Sequence, residues 1–138
     1  MKNLIKYGIM CFVAVFIYSC SNTTDYEYQN KMLFGTSYYG ADTSIINNIG
    51  TTFYSTSGLY VKVSTKEAIK DNAIALKIQL ETGTDVTVLF FKKRWMDEPY
   101  HSSVFFVEPS ILKAGNYKAY LMKDGDTNPL SSCDLLIK

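Results

Sequence analysis

Ala73-Ile-Ala-Leu-Lys-Ile-Gln-Leu-Glu81 is the stretch that decides the fold class. Ile74, Leu76, Ile78 and Leu80 recur at every second position, with Lys77 and Gln79 between them. A period of two puts alternate side chains on opposite faces of a strand, whereas 3.6 residues per turn would scatter these four aliphatics around a helix. The stretch therefore predicts a strand with one face toward a core. Thr82-Gly83-Thr84 turns the chain. Asp85–Trp95 then reads as a long strand with Val86, Val88 and Phe90 on one side and Leu89, Phe91 and Trp95 on the other.

The same pattern extends outward in both directions. Leu59-Tyr-Val-Lys-Val63 alternates, and Met32-Leu33-Phe34 opens the series. Residues 35–58 are rich in Gly, Ser, Thr, Asn and Tyr and predict short strands around Ser37–Tyr39 and Thr51–Ser55. Ser64-Thr-Lys-Glu67 has capping-box spacing, which predicts one helical turn over Thr65–Lys70 before Asp71-Asn72. Downstream, Met96–His101 reads as a polar loop around Pro99. Val104–Glu108 is the next strand, ended by Pro109, which has no N–H for a ladder. Tyr117–Met122 and Leu130–Ile137 complete the set, joined by the turn-forming Asp124-Gly-Asp-Thr-Asn-Pro129.

Leu112-Lys-Ala-Gly-Asn-Tyr117 resembles the tyrosine corner of Greek-key sandwiches, in which a tyrosine at a strand start turns its hydroxyl back to the preceding backbone. The resemblance implies an all-β fold, an immunoglobulin-like or fibronectin-III-like Greek-key β-sandwich of about six to eight strands. It covers residues 59–138 and concerns architecture alone, since the antibody-type cysteines are absent. Such a fold does not confer a function.

The N-terminus carries a different message. Lys2 and Lys6 precede an uncharged run, Gly8–Tyr18, of 11 residues. A spanning helix needs about 20, so the run reads as a secretory signal over residues 1–19. Ile17-Tyr-Ser-Cys20 resembles the lipobox of bacterial lipoproteins, with Tyr18 bulkier than the usual residue there. The resemblance implies cleavage between Ser19 and Cys20, a diacylglycerol thioether on Cys20, and acylation (palmitate or a similar chain) of the new amine. Each buried methylene contributes about 0.8 kcal/mol, so two or three chains anchor durably. Ser21, where an Asp would retain the protein at the inner membrane, resembles sorting to the outer membrane. Residues 20–30 read as the lipidated cysteine and a polar tether, and 31–138 as a single domain. Asp25 and Glu27 in the tether read as spacer residues, with an acidic surface-export signal as the rival.

Composition narrows the partners. Eleven tyrosines and eight phenylalanines in 138 residues favour half-buried pleated surfaces. Loss of Lys2 and Lys6 with the signal leaves 12 basic against 13 acidic residues, a balance with no pull toward nucleic acid. Cys11 lies in the leader and Cys20 is the lipid acceptor, so Cys133 has no intramolecular disulfide partner.

Candidate chemistry is sparse. Asp97, Glu98 and the only histidine, His101, make an Asp-Glu-x-x-His run, but a loop around Pro99 lacks the convergent geometry of a metal site, and exposed loop polars are the preferred reading. Asp124, Asp126 and Asn128 open with calcium-loop spacing, but Pro129 stands where the turn glycine belongs and Leu135 replaces the bidentate acid. Cys133 alternates with Leu135 and Ile137, which predicts a buried inert thiol. No catalytic residue, metal or cofactor is assigned. Lys92-Lys-Arg-Trp95 places a cation beside an aromatic, and Arg94, Trp95, Tyr38 and Tyr39 form the candidate binding surface, with Tyr54, Tyr60 and Tyr100 as further interface tyrosines. The competing reading is a charged strand end guarding a sheet edge. The expectation is a membrane-anchored, non-enzymatic β-sandwich module contacting a protein or glycan. The alternatives are an accessory or adhesin subunit of a surface assembly and an inhibitor or immunity-type lipoprotein.

Overall fold

The structure, a computed structural model, describes residues 29–39 and 45–138. The signal segment 1–19, the cleavage position Ser19-Cys20 and the tether as far as residue 28 lie outside the described residues.

All regular structure described is β. The strands are β1 (Lys31–Gly35), β2 (Ser37–Tyr39), β3 (Ile45–Asn47), β4 (Thr52–Phe53), β5 (Leu59–Ile69), β6 (Asn72–Thr82), β7 (Asp85–Met96), β8 (Tyr100–Val107), β9 (Gly115–Lys123) and β10 (Ser131–Ile137). One sheet has the order β1-β5-β8 and a second the order β4-β10-β9-β6-β7, with β2-β3 forming a small separate ribbon. The two main sheets close on one core, as in a β-sandwich. Met32, Phe34, Leu59, Val61, Val63, Phe105 and Val107 line it from the smaller sheet. Ile74, Leu76, Ile78, Tyr117, Ala119, Leu121, Leu135 and Ile137 line it from the larger.

The period-two pattern produces this directly. Ile74, Leu76 and Ile78 are at most 2% exposed and pair in register with Lys123, Leu121 and Ala119 of β9. β6 lies inside its sheet, so its outer face is crowded too. Ala73 and Ala75 are buried there, and their small size leaves room for Lys93 of β7 to cross β6 and bond Asp124 beyond β9. Gly35 is required by a close approach, because a Cβ there would strike Ile46 and the carbonyl of Asn47 in β3. Gly83, with φ of 63°, makes the β6–β7 turn, a left-handed conformation that glycine adopts without steric cost.

Four sequence expectations change. The two main sheets hold eight strands, but the ribbon brings the described total to ten, and β3 was not foreseen. The helical turn over Thr65–Lys70 does not form, and β5 runs on to Ile69. Thr65 is buried and its hydroxyl donates to the carbonyls of Glu67 (2.7 Å) and His101 (3.3 Å) instead of capping a helix. Buried Ile69 pairs with Tyr100 after a register shift, and the chain turns at Asp71, a residue type that tolerates its positive φ of 49°. Burial and cross-strand pairing thus override a local cap. The expected loop Met96–His101 shrinks to three residues, because Met96 is buried at the end of β7 and β8 already begins at Tyr100.

The fourth change concerns β7. Phe90 pairs with Ile78 and Val88 with Gln79, so Leu89 is an extra residue in a β-bulge. One inserted residue exchanges the faces of everything beyond it. Phe90 therefore packs on the core alone, while Phe91, Lys93 and Trp95 join Val86 and Val88 on the outer face.

At the other end of the fold the Tyr117 hydroxyl donates to the carbonyl of Lys113 at 2.8 Å, the bond anticipated from Leu112–Tyr117. Leu112 is buried beneath the same connection. Tyr117→Phe keeps the ring and removes this bond, so urea unfolding is expected to show a loss of about 1 kcal/mol with an unchanged m-value.

Candidate functional site

β7 and β8 are edge strands of opposed sheets, joined only by Asp97–Pro99. Their adjoining ends leave a cleft of about 250 Å³ lined by Tyr38, Arg94, Trp95, Met96, Tyr100 and Ser103, with Ser102 and Val104 completing it. Trp95 is 62% exposed and Tyr100 49% exposed. A large aromatic that folding leaves in water is more informative than a buried one.

Each wall has a local cause. β6 pairing puts Arg94 opposite Ile74 on the core side and Trp95 opposite Ala73 on the outer side, so adjacent residues flank the sheet rim. Arg94 lies at the open margin of the sandwich, its guanidinium carbon 5.8 Å from the centroid of the buried Phe105 ring on β8. That distance is within cation–π range. Arg94 has no carboxylate partner among the described residues, where the ion pairs are Lys93–Asp124 and Lys118–Asp134. Tyr38 stacks on Tyr60 of β5 with centroids 5.7 Å apart, and Tyr60 meets Phe106 of β8 at 4.8 Å. A row of rings therefore crosses the outer face of the smaller sheet and ends at the cleft.

Of the candidate binding residues, Arg94, Trp95, Tyr38 and Tyr100 come together here. Tyr39 closes β2, paired with Ile45. Tyr54 is exposed but lies beside Leu59 and Ile137, away from the cleft. Ser103 and Phe105 were not singled out. They sit on the core face of β8, where alternation with Val107 marks them as core, and only the opposition of two edge strands brings Ser103 to the cleft and Phe105 beneath Arg94.

The other constellations have ordinary structural partners. Asp97 accepts the N–H of Glu98 at 3.0 Å, and Nδ1 of His101 lies 3.1 Å from the Thr65 carbonyl, so the histidine meets β5 backbone. Among the described residues no three His, Cys, Asp or Glu side chains are placed to hold a metal. Asp124 is taken by Lys93, and its N–H donates to the Ala73 carbonyl at 2.8 Å. Leu130 N–H donates to the Leu121 carbonyl at 2.7 Å, closing the 124–129 connection as a hairpin. Cys133 is half-buried against the core, with Sγ 3.4 Å from the Asp134 carbonyl.

A larger hollow of about 400 Å³ lies on the outer face of β9 and β10, lined by Thr51, Glu81, Asn116, Lys118 and Asp134 among others. Its charges answer one another. Glu81 accepts from Gln79 Nε2 at 2.8 Å and from the Tyr120 hydroxyl at 2.9 Å, and Lys118 is 3.9 Å from Asp134. The cleft beside Arg94 is smaller but is lined by exposed rings and by a cation with no acidic partner among the described residues, so it is the stronger candidate.

The hydrogen bonds from Gln79 and then Tyr120 hold the Glu81 carboxyl below its ordinary value, while desolvation and then the Glu81 bond push the Tyr120 hydroxyl up. A depressed carboxyl favours the folded state above its unfolded value, and that contribution is lost as pH falls through the depressed one. A carbon-detected NMR titration is expected to place Glu81 below the ordinary glutamate value, and Tyr120→Phe to move it back up. Compared with protein-family models and with curated proteins, the chain matches none.

Proposed function

We propose that this chain is a lipid-anchored, non-enzymatic binding module of the cell envelope that contacts a protein or glycan through the Tyr38–Arg94–Trp95–Tyr100 cleft. The observation carrying this reading is that exposed rings line one cleft with a cation that has no acidic partner among the described residues. Aromatic residues and arginine are the types enriched where binding energy concentrates. We assign the sandwich to the immunoglobulin-like Greek-key type. The orders β1-β5-β8 and β10-β9-β6-β7, with the Tyr117–Lys113 bond on the β8–β9 connection, support that assignment.

The anchor rests on Ile17-Tyr-Ser-Cys20 and the short apolar leader, and outer-membrane placement on Ser21. The side chain of Asn30, at the end of the tether, accepts the Lys66 N–H at 2.8 Å. Lys66 follows Thr65, the residue bonded to His101, so the tether enters at the cleft end of the sandwich. The ten residue-to-residue steps from Cys20 to Asn30 extend at most about 35 Å, which keeps an anchored cleft close to the bilayer.

A second reading, assembly into a surface structure, draws on β7. That strand ends the five-stranded sheet and exposes Val86, Val88 and Phe91. A long apolar edge is a template for strand addition. The Leu89 bulge and Lys92-Lys93-Arg94 are the devices by which edges resist such pairing, so binding through the cleft is preferred.

Cys20→Ser is expected to move the protein from the membrane to the soluble fraction, with slower maturation on gels. Unchanged membrane partitioning and migration would remove the anchor. For the cleft, a photo-reactive phenylalanine at Trp95 in living cells is expected to cross-link an envelope component, while the same group at Thr84, at the opposite end of β7, is expected not to. Equal labelling from both positions would sink the cleft as the contact surface.

A further inference from the structure

We infer that the cleft takes a saccharide carrying a carboxylate, a uronic-acid type of sugar, with the carboxylate on Arg94 and the ring faces against Trp95 and Tyr100. This deepens the binding-module reading and rests on it.

Three observations point to this ligand class. First, Arg94 has no ion-pair partner among the described residues, yet its guanidinium is held near the Phe105 ring. A planar fork braced by an aromatic is pre-organised for the two oxygens of a carboxylate. Second, the cleft is also lined by Trp95 and Tyr100, both exposed. Their ring faces carry negative charge density and suit the weakly positive C–H face of a pyranose ring. Third, the cleft of about 250 Å³ is smaller than the roughly 300–1,000 Å³ of pockets that enclose a drug-sized ligand. One or two rings of a longer glycan fit such a site better than an enclosed cofactor. Ser102 and Ser103 also line it, the Ser103 hydroxyl being buried. An acidic peptide would satisfy Arg94 equally, but peptides gain affinity from strand pairing or from sockets for side chains. The cleft instead offers the exposed aromatics Trp95 and Tyr100 beside the cation.

The chain carries one tryptophan, Trp95, so its emission reports on this site alone. The full-length protein, held in a sugar-free polyoxyethylene detergent, would be titrated with tri-galacturonate, a hyaluronan tetrasaccharide and neutral galactotriose. At least one acidic probe is expected to change the emission saturably, with the neutral sugar at least about tenfold weaker. Arg94→Gln is expected to weaken the acidic probe about tenfold or more while leaving the weak neutral response, and added salt to weaken the wild type in the same direction. Arg94 is exposed, so the variant should melt as the wild type does. If it does not, Tyr100→Ala is read in its place and is expected to weaken acidic and neutral sugars together. No saturable response to either acidic probe, or an Arg94→Gln protein that binds them as well as wild type, overturns the inference. A response to a hexaglutamate peptide with none to the sugars would also overturn it, but would leave the cleft as a protein-binding site. Failure of the Trp95 cross-link as well would remove the underlying reading.

Discussion

Burial of Ile74, Leu76 and Ile78 in one core with Val61, Val63 and Phe105 holds the two sheets face to face, and the other features are positioned by it. Each fully buried aliphatic contributes about 1.5–3 kcal/mol, whereas an exposed bridge such as Lys93–Asp124 contributes about 0.2–1. The core therefore sets the register of β6, and β6 in turn sets β7 and β9 on its two sides. Ala73 and Ala75 are part of the same constraint, since only small side chains leave space for Lys93 to cross the strand.

The Leu89 bulge lets β7 serve two environments. Before it, Val86 and Val88 face outward, and Phe90 then contributes to the core. After it, Lys92 and Arg94 take the inward parity, where the sheet rim opens to water. A strand without the bulge would set Val86 and Val88 on the same face as Lys92 and Arg94. The inserted residue instead gathers Phe91, Lys93 and Trp95 outside and leaves Arg94 at the margin beside Phe105. Bulges recur near edges and sites because they re-aim side chains at little cost to the rest of a sheet.

The margin between β7 and β8 is where the sandwich is least closed. Two edge strands oppose each other there without sharing a ladder, and Asp97–Pro99 is too short to cover the gap. Trp95 and Tyr100 stay exposed there, so apolar area that folding could bury remains in water, beside a cation with no acidic partner among the described residues. The outer face of β9 and β10 shows the contrasting solution, with Glu81, Gln79, Tyr120, Lys118 and Asp134 satisfying one another. The outer face of β9 and β10 is thus self-contained, whereas Arg94 has no acidic partner among the described residues.

Alternation determined the all-β class and the core faces of β5, β6 and β10, because strand parity is a local property of the chain, and the return of the Tyr117 hydroxyl to the preceding backbone was implied by the resemblance of Leu112–Tyr117 to a tyrosine corner. Arg94, Trp95, Tyr38 and Tyr100 were legible as candidates by residue type, but not as neighbours. Tertiary structure decided their convergence, the strand at Thr65–Ile69 where a cap motif suggested a helix, and the split of Phe90 from Val86 and Val88. All three depend on partners distant in the chain: the opposition of two sheet edges, the pairing of Ile69 with Tyr100, and the register that β6 imposes across the bulge. Sequence period records which residues can share a face, whereas the packing of one sheet on another decides which faces meet.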